Sequence, residues 1–356
     1  MPEVNKKPWS EYPPELHPKQ RIFLSIDIAG STELKTSLAV EGKRLWVDYF
    51  TTFLSDTVFQ YRQNLRNRIE SICIDKCVKS CIDNDKMYHN NVNVWKYSGD
   101  EVILVSELYC LQHASLHVLA LADTIAHFNG TLREFNKKLS RAKKTKPLSH
   151  FKGTAWVASF PVNNSEINLT IISKNKSVPI KDYMGQSMDI GFRLSKYATK
   201  DRLVVCANLA HIIVNSRALF KGYKYRNKTT KNLQLCTGGF VETKGAMNNE
   251  HPLLWYSIDE KADDYELCKC GDREALISTL DKYLTSNKFI IPFMPDEEDT
   301  DYYEKYNQAV DEQKNSPESP FFEHFNKSAP TPSEQTSTET GEYQEILKSN
   351  FSNKTK

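Results

Sequence analysis

An aspartate that closes an apolar run is a misplaced charge unless something compensates it. Residues 21–28 read RIFLSIDI, a β-rich stretch with Asp27 near its end, and a divalent cation is the usual partner of a carboxylate so placed. Ile28, Ala29, Gly30, Ser31 and Thr32 follow directly. Gly-Ser-Thr makes a tight turn and a helix N-cap, so free backbone N–H groups and the helix dipole there can hold a polyphosphate. Metal and phosphate would then be neighbours. A second acid, Asp100, lies at the tip of Ser98-Gly99-Asp100, between two β-rich segments. Together the two carboxylates could form a two-metal clamp on a reacting phosphoryl group, although either can equally be a turn-capping aspartate.

Other reactive types recur at telling intervals. Asp189 and Arg193 stand four apart, on one face of a helix, where an ion pair is the simplest expectation. Lys244-Gly245 follows a β-like segment and can equally be an ordinary turn. Cys73, Cys77 and Cys81 repeat every fourth residue with His89 beyond. That spacing stacks thiols on one helical face and is not the CxxC spacing of zinc modules. A free cysteine behaves as a small hydrophobe, so a buried helix face is the better reading there, and likewise at Cys268 and Cys270.

The elements that must position these groups follow from hydrophobic period. Residues 21–28 read as a buried strand. Leu34, Leu38, Leu45, Trp46, Tyr49, Phe50, Phe53 and Leu54 recur at helical spacing and predict an amphipathic helix. Residues 61–91 lack a clear period and read as a partly helical insertion. VNVWKYSGDEVILV, residues 92–105, predicts a hairpin with Gly in its turn. A helix is expected over 107–128, and a basic helix or loop over 130–147. Then come a strand over 152–160, a hairpin-like insertion over 162–178, a helix from near Gly185 to Tyr197, a strand over 203–207 and closing β structure to Tyr256. The sequence thus divides into an N-terminal arm over 1–17, a catalytic domain over 18–258, a C-terminal helical extension over 259–296 and a disordered tail over 297–356.

Composition narrows the classes. The 356 residues suit about two domains or one large domain with insertions. Lys+Arg 47 against Asp+Glu 45 leaves a net charge of +2, which argues against a nucleic-acid-binding surface despite the basic cluster over 133–146. The apolar runs fall far short of the roughly 18 residues of a membrane helix. The proline- and charge-rich start has no apolar h-region, and eight cysteines are too dilute for a disulfide scaffold. A cytoplasmic protein, with no membrane and no nucleic-acid partner, is expected.

Taken in order, these groups fall on one pattern: the sequence resembles a class III nucleotidyl cyclase catalytic domain over roughly residues 18–258. FLSIDIAGST resembles that family's metal-aspartate strand and phosphate turn, and KYSGDE its second metal-aspartate hairpin. The resemblance implies an α+β fold with a ferredoxin-like βαββαβ core carrying helical and hairpin insertions. It implies two Mg²⁺ or Mn²⁺ ions on Asp27, the Ile28 carbonyl and Asp100, with the triphosphate on Ala29, Gly30, Ser31, Thr32 and Lys244. Lys96 and Asp182 match the base-contacting pair. Asp189 and Arg193 match the transition-state Asn and Arg, with Asp in place of the Asn, so that Arg193 would remain the cation and Asp189 orient it. A head-to-tail homodimer with sites shared between subunits is also implied. KGTAWVASF departs from the family's strand by lacking its second glycine.

A lysine donor beside a carboxylate acceptor suits any base edge offering one acceptor next to one donor. Adenine, cytosine and uracil all do. Crowding by Tyr49, Phe50 or Trp95 would favour a one-ring base, although these rings can equally be core. DIGFRL, the Asp at the Asn position and the long insertions resemble the bacterial anti-phage pyrimidine cyclases of the Pycsar type. That resemblance implies UTP or CTP as substrate, cyclic UMP or cyclic CMP as product, and an effector that senses the cyclic nucleotide. An adenylyl cyclase, and a catalytically silent nucleotide-binding module, are the alternatives.

Overall fold

The computed structural model describes residues 19–40, 45–72, 92–108, 111–141, 150–160, 164–173, 176–216, 224–225, 228–229, 235–243, 250–258 and 273–287. The chain divides into Met1–Tyr306 and Asn307–Lys356, and every described residue lies in the first. The arm over 1–17, the tail over 297–356, Lys244, the Cys73–Cys77–Cys81 repeat with His89, and Cys268 and Cys270 all lie outside the described residues.

The first half runs β1 (Lys19–Ala29), α1 (Ser31–Val40), α2 (Leu45–Ile72), β2 (Asn93–Ser98), β3 (Glu101–Leu108), α3 (Leu111–Arg141) and β4 (His150–Phe160). These strands lie side by side in the order β4-β1-β3-β2. Both helical crossovers therefore skip one strand, the split β-α-β arrangement of a ferredoxin-like βαββαβ core. The expected α+β class is the one observed. The second half adds a long ribbon, β5 (Asn164–Ser173) and β6 (Lys176–Gly185), then α4 (Gln186–Leu194), β7 (Arg202–Val205) and α5 (Ala207–Asn215). After a short ribbon, β8 (Lys224–Tyr225) and β9 (Lys228–Thr229), come β10 (Leu235–Glu242), β11 (Glu250–Ser257) and α6 (Arg273–Ser286). β7 joins β4 in parallel, and β11 and β10 extend the sheet to seven strands.

Alternation along β1 assigns the sheet two faces. Ile22, Leu24, Ile26 and Ile28 are all buried, and Ile28 pairs with Phe151, which packs against Phe53 of α2 and Phe128 of α3. That face is the apolar core. The opposite face carries Arg21, Phe23, Ser25 and Asp27. Phe23 is enclosed by Trp95, Trp156, Phe160 and Tyr183, each such aromatic contact adding roughly 0.5–1.5 kcal/mol beyond its buried area. α4 closes over this cluster at Gly191, where a Cβ would stand 2.3–2.5 Å from the Trp156 ring. Only a glycine lets the helix lie so close.

Three segments differ from the sequence expectation. Residues 61–72 are not an insertion but the second half of α2, because Tyr61, Leu65 and Ile69 bury one helical stripe. α3 runs without a break through Gly130, held past it by buried Leu132. The hairpin expected over 162–178 extends to Gly185, so Asp182 stands on a strand of that ribbon. α6 packs against the core past Ile258: Leu280 and Leu284 are buried, and His211 meets Asp281 at 2.7 Å. Among the described residues no helix is long and apolar enough to cross a membrane.

Candidate functional site

Strand lengths create the first cluster. The pairing of β1 with β3 stops at Asp27↔Glu101, whereas its pairing with β4 continues through Ile28↔Phe151 to Ala29↔His150. β1 therefore outruns β3 at the end where the Gly99-Asp100 turn closes the hairpin. Gly99 adopts φ 68° and Gly30 φ 80°, left-handed values that glycine reaches at no steric cost. The two turns bring Asp27 and Asp100 close enough for each to act on the other's ionisation. Burial, opposed by Lys152 and reinforced by Asp100, pushes the Asp27 carboxyl above its ordinary value.

Each acid also has a lysine. Lys152 Nζ stands 3.2 Å from Asp27 Oδ2, and Lys35 Nζ 3.4 Å from Asp100 Oδ1. Glu101 adds a third carboxyl, bonded by the Ser25 hydroxyl. Burial raises its pKa against that hydrogen bond, and Asp27 adds to the rise. The sequence reading missed Glu101, Lys152 and Lys35. Glu101 stood next to Asp100 in KYSGDE, but the partnership of Lys152 needs the β1–β4 register, which no local pattern reveals.

Among the described residues no group of three or more His, Cys, Asp or Glu side chains is arranged to hold a metal ion. Two converging carboxylates, one of them half-buried and hard to ionise, nevertheless fit a hard divalent cation of the magnesium type. Such an ion takes one or two carboxylates and completes its shell with water and substrate phosphate oxygens. Beside the acids, Ser31 is buried and Thr32 exposed at the start of α1, so the Gly30 turn opens a helix there.

A bulge builds the second cluster. In the β2–β3 ladder Val94 pairs with Leu104 and Lys96 with Ile103, leaving Trp95 as an extra residue. Leu104 lies opposite Leu24 and Ile103 opposite Ser25, so Lys96 shares the sheet face of Phe23 and Asp27. Trp95 packs on Phe23 and Tyr183 and is on that face as well. Two consecutive residues thus point the same way, which a regular strand forbids and a bulge permits. Both reach Asp182. Trp95 Nε1–H donates to Asp182 Oδ1 at 2.9 Å, the Tyr183 N–H donates to the same oxygen at 2.9 Å, and Lys96 Nζ stands 3.5 Å from it. The Lys96 ammonium lies 3.8 Å above the Trp95 ring and 5.6 Å from that of Phe192.

The ribbon that carries Asp182 is fixed to the sheet by charge. Arg21 bonds Glu166, and Lys181 meets Glu166 at 2.6 Å. Burial works against ionisation of Glu166, but these two cations outweigh it and hold its carboxyl below the ordinary value.

The remaining candidates are less gathered. Asp189 stands in the first turn of α4 and Arg193 in its last. The ion pair expected between them is not formed: among the described residues no salt bridge involves either. Asp189 faces solvent, where water screens the attraction that would hold such a pair. Phe50 is 4% exposed and lies under Lys35, whose Nζ is 4.9 Å from the ring centre. It is core beside the acid cluster and does not line the Lys96–Asp182 cluster. Tyr49 lies on α2, with its side chain outside the described set.

No protein-family model matches the chain, and no curated protein matches it. Several solved structures do. The adenylyl cyclase CyaB from P. aeruginosa is 14% identical, with 69% of this chain and 97% of that chain covered and a TM-score of 0.43. A bacterial light-regulated adenylyl cyclase is 13% identical, over 74% of this chain and 98% of that one, with a TM-score of 0.40. The guanylate cyclase domain of RhGC from Catenaria anguillulae, in complex with GTP, is 14% identical over 67% and 96%, with a TM-score of 0.38.

Proposed function

We propose that the protein is a nucleotidyl cyclase that converts a pyrimidine nucleoside triphosphate, UTP or CTP, to the 3′,5′-cyclic monophosphate and pyrophosphate. The observation that carries the reading is the meeting of Asp27 and Asp100 beside the turn that opens α1. Two acids with no third metal-ligating side chain among the described residues suit a site whose remaining ligands arrive with a triphosphate.

In the proposed reaction the ribose 3′-oxygen bonds to the α-phosphorus, the bond from that phosphorus to the β-phosphate oxygen breaks, and the hydroxyl proton passes to solvent. Asp27, Asp100 and the Ile28 carbonyl would hold the two Mg²⁺ or Mn²⁺ ions, which supply Lewis-acid activation of the hydroxyl and neutralise the triphosphate. Ala29, Gly30, Ser31 and Thr32 cradle phosphate oxygens at the α1 N-terminus, and Lys244 meets the terminal phosphates. Arg193 faces the charge that grows in the transition state, with Asp189 orienting it once nucleotide is bound. Lys96 and Asp182 read the base edge.

The metal acids and the base pair act, in this reading, in different subunits of a homodimer. Support comes from β6, where Ile180 and Met184 share one face with Asp182 by alternation and are 40% and 57% exposed. Phe192 on α4 is exposed too. Apolar groups flanking a polar reader suit a surface that a second copy covers. Following the Pycsar resemblance, the product would be a messenger in anti-phage defence, sensed by a separate effector.

Adenine presents the same acceptor-donor edge to Lys96 and Asp182, so adenylyl cyclase is the second reading. Incubating the protein with ATP, GTP, CTP and UTP separately, with Mn²⁺, and identifying products by mass separates the readings. Cyclic UMP or cyclic CMP is expected. Cyclic AMP alone would overturn the pyrimidine assignment, and no cyclic product from any triphosphate would overturn the enzyme.

A further inference from the structure

All three donors around Asp182 converge on one oxygen. Trp95 Nε1–H and the Tyr183 N–H both bond Oδ1 at 2.9 Å, and Lys96 stands 3.5 Å from that same atom. Among the described residues Oδ2 takes part in no hydrogen bond. The side chain is 40% exposed, so Oδ2 is the oxygen left to face a ligand. A free carboxylate rotates about its terminal bond over a broad, roughly two-fold well. Here the indole N–H pins it, and the indole is itself pinned between Phe23, Tyr183 and Phe192. The bulge is what allows this, because in a regular strand Trp95 would point to the opposite face from Lys96.

We propose that Trp95 is a positioning residue that locks Asp182 with Oδ1 inward and Oδ2 outward, and thereby fixes which nucleobase edge the site accepts. This inference rests on the nucleotide-binding reading of the Lys96–Asp182 pair. An outward carboxylate oxygen demands a donor from the ligand, and the neighbouring ammonium demands an acceptor. A base that offers these two side by side is bound, and one that turns an acceptor toward Oδ2 is rejected by lone-pair repulsion and a desolvated charge left unmatched. Without the indole N–H the carboxylate still accepts from the Tyr183 N–H, but one of its two hydrogen bonds is gone and it rotates more readily, so part of the ordering that the indole had supplied must come from the ligand.

The full-length protein, Trp95→Phe, Asp182→Asn and the double variant provide the test. Phe keeps an aromatic ring at this position and removes the N–H, together with the five-membered part of the indole. Circular dichroism melts establish that each variant is folded. Affinities for ATP, GTP, CTP and UTP are measured by calorimetry with Ca²⁺, and kcat and KM with Mn²⁺. Trp95→Phe is expected to weaken the preferred triphosphate about tenfold, the order lost with one hydrogen bond to a charged group. KM rises, kcat stays within about twofold, and selectivity over the other triphosphates narrows.

Asp182→Asn supplies the readout that a purely structural tryptophan would not move. With Trp95 present the amide oxygen stays on the indole and Tyr183 N–H groups, the NH₂ faces outward, and preference shifts to a base offering an acceptor there. In the double variant only the Tyr183 N–H still favours the inward oxygen, so the amide flips more readily and the preference weakens. Equal selectivity of Trp95→Phe and the parent, or an Asp182→Asn preference that is the same with and without Trp95, overturns the inference. A parent protein that binds triphosphates selectively but cyclises none leaves the inference judged by affinity and overturns the enzyme alone. A parent that binds no triphosphate overturns both.

Discussion

Lys152 Nζ lies 3.2 Å from Asp27 Oδ2, and the β1–β4 register pairs these two residues directly across the ladder. A lysine so placed favours the ionised carboxylate, against the larger effect of burial, and at the same time occupies the space of a positive ligand. With the lysine gone, a divalent cation approaching Asp27 and Asp100 meets one charge fewer. Lys152→Met should therefore tighten Mn²⁺ binding in the absence of nucleotide by about tenfold, a charge effect of the modest size expected at a partly exposed pair. Titration followed by electron paramagnetic resonance reads this directly. Unchanged or weaker binding would mean that Lys152 does not compete at these acids.

Asp27 ionises against the fold. Its pKa is raised, first by burial, which Lys152 opposes and Asp100 reinforces. A carboxyl whose folded pKa exceeds its unfolded one binds more protons when folded, so its stability contribution is full below 3.8 and lost as pH rises through the raised value. Asp27→Asn should then be more thermostable than the parent at pH 7.5, with the difference closing as the pH falls toward 3.8. The same variant should lose at least about a hundredfold in cyclising activity, the scale of removing one group that holds transition-state charge. Melting curves of the pair across pH test the first half. A variant less stable than its parent at neutral pH would show that the Lys152 ion pair outweighs burial.

Arg193 and Asp189 separate cation from orienter. Arg193→Ala should lower kcat by about 10²–10³ with little change in KM, as expected for a charge felt only in the transition state. Asp189→Asn should lower kcat by only a few-fold, because no ion pair joins the two residues before nucleotide binds. An Asp189→Asn enzyme faster than its parent would remove the orienting role and make that carboxylate an obstacle to turnover.

How much of this was legible in the chain depends on the range over which each feature is set. Asp27, the Gly30 turn and the Gly99-Asp100 hairpin are local. A period-2 apolar run, a glycine and an acid sit together, and the observed strands follow. The continuation of α2 through Ile72 was hidden because its buried stripe, Tyr61, Leu65 and Ile69, is interrupted by exposed Arg62 and Arg66 and by Arg68, which pairs with Asp123 of α3. Lys152 and Glu101 join Asp27 only through strand register, which pairs residues far apart in sequence. Trp95 was legible as an aromatic near Lys96, but its bond to Asp182 depends on a bulge that no residue type announces.

Acid should unfold the protein through histidines remote from these clusters. The His251 Nδ1–H donates to the Pro252 carbonyl at 2.8 Å, and Nε2 accepts from the Ala207 N–H at 3.4 Å. A second proton would turn that acceptor into a donor aimed at another donor. Burial accordingly lowers the His251 pKa to about 4, although the Pro252 carbonyl favours the charged form. His113, buried where its ring meets His117, is likewise lowered by burial to about 4. For such a base the unfolded chain binds the extra proton first. The stabilisation is whole above 6.5 and is lost as the pH falls toward 4. His251→Gln has no proton to take up, so its melting temperature should fall less steeply than the parent's between pH 6.5 and 4. Because every other titrating group is common to both proteins, the difference in slope belongs to His251. Parallel curves would mean that this imidazole already carries its charge in the folded state.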